Sequence, residues 1–252
     1  MTLEIIGLII TFILGLFILV GAILAIAMGN TNKIIDYCLG LALGVIVTLI
    51  ITDLIPEIIE NVNISKIYIV IISGVLGYIL LKILDKFVPD HEHEHKHTKK
   101  ESQDNLIHIG IITSIALIIH NIIEGMAVYS TAITANTSLV IGMTLGVGFH
   151  NLPLGMVIAS SIYQTNKSKI KTIISILAVS ISTFIGGLIV FLFNIKTIEG
   201  IILGVLLSIT LGMLLYIVID ELIPRIRQIK EKKVSIYGIF TGIIILLLSC
   251  LF

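Results

Sequence analysis

Long apolar runs alternate with short polar connections along nearly the whole chain. A helix needs about 20 mainly apolar residues to cross the hydrocarbon core of a bilayer, and eight segments meet that requirement. They predict eight membrane spans, which we number in chain order: 5–28, 34–54, 66–84, 107–130, 138–163, 172–194, 198–219 and 235–252. The predicted fold class is therefore all-α, and residues 1–252 form a single polytopic membrane domain.

The segment 88–105 is the one long polar connection, and it contains the sequence HEHEHKH. Its alternating histidines would share one side of an extended chain, or pair one turn apart on a helix. Either conformation would bind a metal ion weakly. We interpret the loop as a metal trap or sensor, with an ordinary solvated loop as the alternative. The histidines are His91, His93, His95 and His97.

The composition supports a membrane protein. Hydrophobic residues make up 57% of the chain and charged residues 13%, whereas about 25% of the residues in a soluble domain are charged. The mean hydropathy is +1.13. The formal net charge is zero and the basic residues are scattered through short loops, so we expect no nucleic-acid partner.

The distribution of Lys and Arg predicts how the spans are oriented. An even number of spans places both termini on one side, and cytoplasmic loops are enriched in Lys and Arg. All basic residues except Lys66 and Lys196 fall in the loops of one side. That side, which includes the loop 88–105, is therefore predicted to be cytoplasmic, and both termini are predicted to be extracytoplasmic.

A short sequence repeat indicates internal symmetry. DLIPE, at 53–57, ends the second predicted span, and DELIPR, at 220–225, ends the seventh, which runs in the opposite direction. Spans 1–3 and 6–8 are therefore predicted to form an inverted repeat around spans 4 and 5, as in many transporters with a central site. A common preference for proline near helix ends is the alternative explanation.

Three ionisable side chains are predicted to lie near the middle of a span: His120, Glu124 and His150. An uncompensated charge at that depth costs at least about 2.5 kcal/mol. His120 and Glu124 are four residues apart and share a helix face, and a short loop makes spans 4 and 5 antiparallel neighbours. Asn121 and Asn151, which follow the histidines directly, add amide oxygens.

Two imidazoles, one carboxylate and amide oxygens form a ligand set that suits a divalent transition-metal ion. The sequence therefore predicts a metal site at the bilayer midplane, with His120, Asn121, Glu124, His150 and Asn151 as candidate ligands. A histidine–carboxylate hydrogen bond that only joins two helices is the alternative.

On these residues the chain resembles the ZIP (Zrt/Irt-like) family of divalent metal transporters, and the resemblance covers the whole length. The fourth-span motif of that family, His-Asn-x-x-(Asp/Glu)-Gly, is matched by His120, Asn121, Glu124 and Gly125. The fifth-span motif of prokaryotic members, His-(Asn/Asp)-x-Pro-Glu-Gly, is matched by His150, Asn151, Pro153 and Gly155. Leu154 departs from this second motif.

The resemblance implies transport of a divalent ion across the cell membrane, with zinc expected first and iron, manganese or cobalt as alternatives. It implies neither enzyme activity nor a cofactor. Family members often bind two ions, helped by a fifth-span and a sixth-span glutamate, and Leu154 and Thr183 stand at those two places here. We therefore expect a site for one ion, or a relative that senses metal without transporting it.

The resemblance also implies a cation pathway beyond the central site. Asp53 and Glu57 are predicted at the outer end of the second span, and Asp220 and Glu221 at the inner end of the seventh. Solvated acids at helix ends are the alternative. The expected partners are divalent metal ions, the lipid bilayer and a second copy of the chain in a homodimer.

An intramembrane metallohydrolase built on the same three ligands is a further hypothesis. Such an enzyme needs an open coordination position and usually a separate general base. The sequence offers no second deep carboxylate for that role, which argues against it.

Overall fold

The structure is a computed structural model, and it describes residues 3–29, 32–87, 99–134, 137–166, 169–195, 198, 200–229 and 231–249. These residues form helices and short connections, with no β-strand among them. The α-helices are Leu3–Met28, Asn32–Leu49, Ile55–Asn61, Ile67–Asp85, Lys99–Thr134, Thr137–Asn166, Lys169–Leu192, Gly200–Tyr216, Ile223–Gln228 and Lys232–Ser249. Between them lie two π-helical segments, Ile50–Leu54 and Ile217–Leu222, and the 3-10 turn Ile64–Lys66.

Eight helical spans within the described ranges are long and apolar enough to cross a membrane. This confirms the predicted all-α class and the predicted number of spans. Their outer surfaces carry large exposed apolar side chains, such as Phe12, Ile71 and Phe240. These apolar side chains suit contact with lipid, and a helix also pairs its own backbone polar groups, as the hydrocarbon core requires.

The second and seventh spans do not end where the sequence indicated. The second was predicted to end at residue 54 and continues to Asn61, and the seventh was predicted to end at residue 219 and continues to Gln228. In both, a π-helical turn precedes the proline. Pro56 and Pro224 then lie in the first turn of the next helix, where a missing N–H is tolerated.

The predicted loop 88–105 is shorter than expected at its C-terminal end. Residues 99–105 belong to the helix Lys99–Thr134, which extends the fourth span. The remainder of the loop, including His91, His93, His95 and His97, lies outside the described residues.

The spans are arranged as one group of four and two pairs. Spans 1, 4, 5 and 6 pack against one another, and we call them the central group. Span 2 packs along span 8, and span 3 packs along span 7. Span 2 also contacts span 5, and span 7 contacts span 4. Both spans that carry the predicted metal ligands therefore belong to the central group.

Glycines permit very close contacts within the central group and within each pair. A Cβ atom at Gly15 of span 1 would overlap the carbonyl group of Ser180 in span 6. Gly212 of span 7 meets the carbonyl of Gly74 in span 3 in the same way, and Gly44 does so between spans 2 and 8. Small residues at helix contacts are typical of membrane proteins, and here they tie each set of spans together.

The pairing of spans is unchanged when spans 1–3 are exchanged with spans 6–8 and span 4 with span 5. Under this exchange the pair 2–8 becomes the pair 7–3, and the contact of span 1 with span 5 becomes that of span 6 with span 4. The arrangement supports the inverted repeat. The repeat itself and the extracytoplasmic position of both termini stay predictions.

Candidate metal centre

Three of the predicted ligands come together between spans 4 and 5. Glu124 Oε1 lies 2.8 Å from His150 Nε2 and 3.7 Å from His120 Nε2. One ligand atom from each residue lies within 4.8 Å of the others. All three side chains are buried, and Glu124, the most accessible, is only 9% exposed. Helix periodicity places His120 and Glu124 on one face, and packing of span 5 brings His150 opposite them.

The polar atoms of this cluster need a further partner. Within the described residues, both ring nitrogens of His120 and Oε2 of Glu124 are buried and have no hydrogen-bond partner. A buried polar atom left without a partner costs free energy. A divalent cation coordinated by His120 and Glu124 would satisfy one ring nitrogen of His120 and Oε2 of Glu124. Two nitrogen donors and a carboxylate oxygen suit zinc and similar ions, so the donor set fits the predicted cargo.

Asn121 and Asn151 fasten the two ligand helices to their neighbours. Asn121 Nδ2 donates to the carbonyl of Val179 in span 6 over 3.3 Å. Asn151 Nδ2 donates to the carbonyl of Leu14 in span 1 over 3.5 Å. Both asparagines are completely buried. In the described part of the chain their Oδ1 atoms have no hydrogen-bond partner, so each amide can fix a helix and still offer an oxygen.

A glycine one turn after each asparagine makes a second close contact with the same neighbouring helix. A Cβ at Gly125 would overlap the carbonyl of Thr183 in span 6, and a Cβ at Gly155 would overlap that of Ile18 in span 1. Each ligand helix therefore contacts its neighbour at two places. The asparagine amide donates to one carbonyl of the neighbouring helix, and the glycine packs against the carbonyl four residues later in that helix. The Asn-x-x-x-Gly spacing common to both sequence motifs has this structural explanation.

The two positions that depart from the family pattern are buried and uncharged. Leu154 is 1% exposed and belongs to the apolar core. Thr183 is fully buried, and its backbone lies against Gly125, the residue after Glu124. Neither side chain can supply a carboxylate, so Glu124 is the one acid in the cluster of potential ligands found within the described residues.

Asp53 lies closer to this cluster than the sequence indicated. It is part of the π-helical segment Ile50–Leu54, inside the second span rather than at its end. Its exposed side chain interacts electrostatically with His150, Glu124 and His120. Glu57, one turn further along, interacts with Asp53 and Glu124. The apolar residues that continue after Pro56 were the available signal that the span had not ended.

The acids of the seventh span are less free than Asp53 and Glu57 to bind a cation. Asp220 accepts a hydrogen bond from the hydroxyl of Tyr78 in span 3. Tyr216 of span 7 makes a hydrogen bond with Asp85 of span 3. The two tyrosine rings meet edge to face, with their centroids 5.3 Å apart. Asp220 therefore joins spans 3 and 7 in this structure. Glu221, beside it in the second π-helical segment, is partly buried.

The sequence is similar to known transporters. A family model described as ZIP Zinc transporter matches residues 88–249. Relatives that match nearly the whole chain carry the name Zinc transporter ZupT. The Clostridium perfringens relative is 28% identical, with 96% of this chain and 93% of the relative covered. The Streptococcus mutans relative is 26% identical, with 96% of both chains covered. The Enterobacter relative is 27% identical, with 96% and 95% covered.

Proposed function

The chain belongs to the ZIP zinc transporter family, and we propose that it carries divalent transition-metal ions, zinc first, across the cell membrane through the centre formed by His120, Glu124 and His150. The observation that carries this proposal is the meeting of two imidazoles and one carboxylate on neighbouring buried helices. Iron, manganese and cobalt are alternative cargo, because nitrogen and oxygen donors accept each of them.

The chain is not an enzyme, because the relatives that it matches over nearly their whole length carry the name of a transporter. The metal ion is therefore its substrate, and no resident cofactor is required. The metallohydrolase hypothesis has no support in the relatives' names.

We expect the centre to hold one ion at a time. With neutral histidines, Glu124 brings one negative charge to a divalent ion, which leaves a buried complex with one excess positive charge. A second divalent ion would add two more positive charges, and buried uncompensated charge is strongly unfavourable. The uncharged Leu154 and Thr183 give that second ion no carboxylate.

Transport requires the buried centre to open to each side in turn. The central group is tied together by glycine contacts and by the amides of Asn121 and Asn151, which favours its movement as a unit. We propose that it shifts against the pairs formed by spans 2 and 8 and by spans 3 and 7. The interfaces of span 2 with span 5 and of span 7 with span 4 would then slide.

The acids on spans 2 and 7 provide a path to and from the centre. We propose that Glu57 and Asp53 attract the ion on the outer side, and that Asp220 and Glu221 receive it on the inner side. The hydrogen bond from Tyr78 occupies Asp220 in this structure, so release along that route requires the hydroxyl to move away.

Uptake of zinc into proteoliposomes tests the proposal. Vesicles with the native chain should take up zinc, and the Glu124→Ala variant should reduce the rate of zinc uptake to that of liposomes without protein. Glu60→Ala is the matched control, because Glu60 is an exposed acid of the second span and its loss should leave the rate unchanged. Uptake by the Glu124→Ala variant at the native rate would contradict the proposed centre.

A metal sensor that binds but does not transport is the second candidate function. The burial of an uncharged leucine at position 154 favours it, because a site with fewer ligands than its relatives can lose transport and keep binding. Equilibrium binding of zinc to the native chain with no vesicle uptake would identify a sensor.

A further inference from the structure

The connection between spans 7 and 8 carries a cluster of basic side chains. Five of the 16 Lys and Arg residues of the chain lie within the segment 225–233, and the structure describes every residue of this segment except 230. Span 7 ends at Gln228 and span 8 begins at Lys232, so the cluster lies at one end of the helical bundle. Basic clusters directly beside membrane spans commonly bind anionic lipid headgroups.

Two charged residues of this segment already interact with span 2. Glu231 is the one acid of the segment, and its Oε2 lies 3.7 Å from Nζ of Lys33. Arg225 is partly buried and interacts electrostatically with Asp36. These two acids are therefore engaged elsewhere and do not neutralise the rest of the cluster.

The other described cations of the segment are Arg227, Lys232 and Lys233, which we call the basic triad. All three are exposed, and no ion pair within the described residues involves any of them. Arg227 lies in the last turn of span 7 and the two lysines in the first turn of span 8, and these helix ends contact each other. Cations on adjoining helix ends repel one another, so an anion bound among them is stabilised.

An apolar stripe continues from the basic triad along span 8. Tyr237, Phe240 and Ile244 follow Lys233 at intervals of four, three and four residues, which places them on the same helix face. They are between 56% and 67% exposed, so this face is open in the described structure. Tyrosine rings favour the headgroup depth of a bilayer. The face therefore presents positive charge, then an interfacial ring, then apolar surface, in the order that a phospholipid requires.

We propose that the basic triad binds the headgroup of an anionic phospholipid whose acyl chain lies along Tyr237, Phe240 and Ile244. A zwitterionic lipid would bring its own positive group next to three cations. Free phosphate has the required charge but no part that contacts the apolar stripe. Because the triad includes residues of spans 7 and 8, a bound headgroup joins the ends of two spans that belong to different pairs. The proposal does not depend on the metal centre.

Lipid binding by the purified full-length chain tests the proposal. Native mass spectrometry counts the lipid molecules that the chain retains when dioleoylphosphatidylglycerol, which is anionic, or dioleoylphosphatidylcholine, which has the same acyl chains, is added. We expect the native chain to bind the anionic lipid about tenfold or more tightly. The triple variant Arg227→Gln/Lys232→Gln/Lys233→Gln should bind the two lipids equally. The double variant Lys232→Gln/Lys233→Gln replaces it where the triple variant folds poorly, and should lose most of the preference.

The triple variant Lys66→Gln/Lys82→Gln/Lys86→Gln is the matched control. It makes the same change in net charge at exposed positions near the two ends of span 3, and it should keep the native preference. An equal loss of preference in both triple variants would overturn the proposal, because lipid binding would then follow net charge and not the basic triad.

Thermal unfolding in detergent separates a lipid site from a phosphate site. A ligand that binds the folded chain raises its unfolding midpoint. Dioleoylphosphatidylglycerol should raise the midpoint of the native chain and not that of the basic-triad variant, whose own cooperative transition shows that it is folded. Glycerol 3-phosphate, which has the phosphate without acyl chains, should leave both midpoints unchanged.

Three results would reject the site. The native chain would bind the anionic and the zwitterionic lipid equally, or the basic-triad variant would keep the native preference. In the third, glycerol 3-phosphate would raise the native midpoint as much as the anionic lipid does, which would identify a site for free phosphate.

Discussion

Glu124 and His150 come from two different helices, and their side chains meet with Oε1 2.8 Å from Nε2. This hydrogen bond therefore joins spans 4 and 5 directly at the proposed centre. Coordination of a cation by His150 Nε2 must break this hydrogen bond, because the proton between the two atoms has to leave that nitrogen.

Acid should therefore weaken metal binding. Protons compete with the cation for the imidazole nitrogens and the carboxylate of the centre, and histidine titrates near neutral pH. We expect zinc affinity to decrease steadily from about pH 8 to about pH 5, as measured by competition with a chelator of known pH dependence. Glu124→Gln, which keeps the side-chain shape, should bind zinc weakly at every pH. An affinity that is constant over this range would contradict the prediction.

Leu154→Glu should add binding capacity. A carboxylate at this buried position of span 5 would lie one turn from His150 and bring the negative charge that a second divalent ion needs. We expect the variant to bind two zinc ions per chain where the native chain binds one, as counted by mass spectrometry under native conditions. Leu154→Gln is the matched control, with the same size and no charge, and should still bind one. Two ions in the native chain would refute the one-ion site.

Gly125→Ala should destabilise the protein. The added methyl group would overlap the carbonyl of Thr183, and overpacking of this kind costs about 1–3 kcal/mol. The midpoint of thermal unfolding in detergent should fall. Gly146→Ala is the control, because its Cβ would lie 3.4 Å from the nearest atom, the carbonyl oxygen of Ser249. Equal midpoints for both variants would show that the contact between spans 4 and 6 is looser than described.

Tyr78→Phe should weaken the contact between spans 3 and 7 and free Asp220. The substitution removes the hydroxyl that donates to Asp220 and keeps the ring that meets Tyr216. Loss of one hydrogen bond costs about 1 kcal/mol, so the unfolding midpoint should fall slightly. Tyr68→Phe, at an exposed position of the same span, should not change it. A Tyr78→Phe variant as stable as the native chain would show that the hydrogen bond contributes nothing.

The sequence predicted the spans and the central ligands because both follow from short-range patterns. Apolar runs of membrane length gave eight spans, and the spacing of His120 and Glu124 gave a common helix face. Asp53 was predicted at the end of span 2 because a proline such as Pro56 normally signals that a helix has ended, although apolar residues continue after it. In the structure a π-helical turn comes directly before this proline, and the helix continues to Asn61.

The sequence patterns also did not predict contacts between segments that are far apart in the chain. Tyr78 and Asp220 are 142 residues apart. No pattern in the sequence near either residue predicts that the two side chains meet. The roles of Asn121 and Asn151 were predicted only in part. Their amide oxygens were considered as ligands, but the hydrogen bonds of their N–H groups to Val179 and Leu14 depend on which helices lie beside them.

The π-helical segments in spans 2 and 7 let these helices change shape locally. A helix in lipid cannot stretch or rotate locally by breaking its backbone hydrogen bonds, because no water is present to replace them. A wide turn contains one surplus residue, and it can move along the helix by exchanging one such bond at a time. Such a turn in span 2 and in span 7 would let each helix follow a sliding neighbour without losing more of its backbone hydrogen bonds.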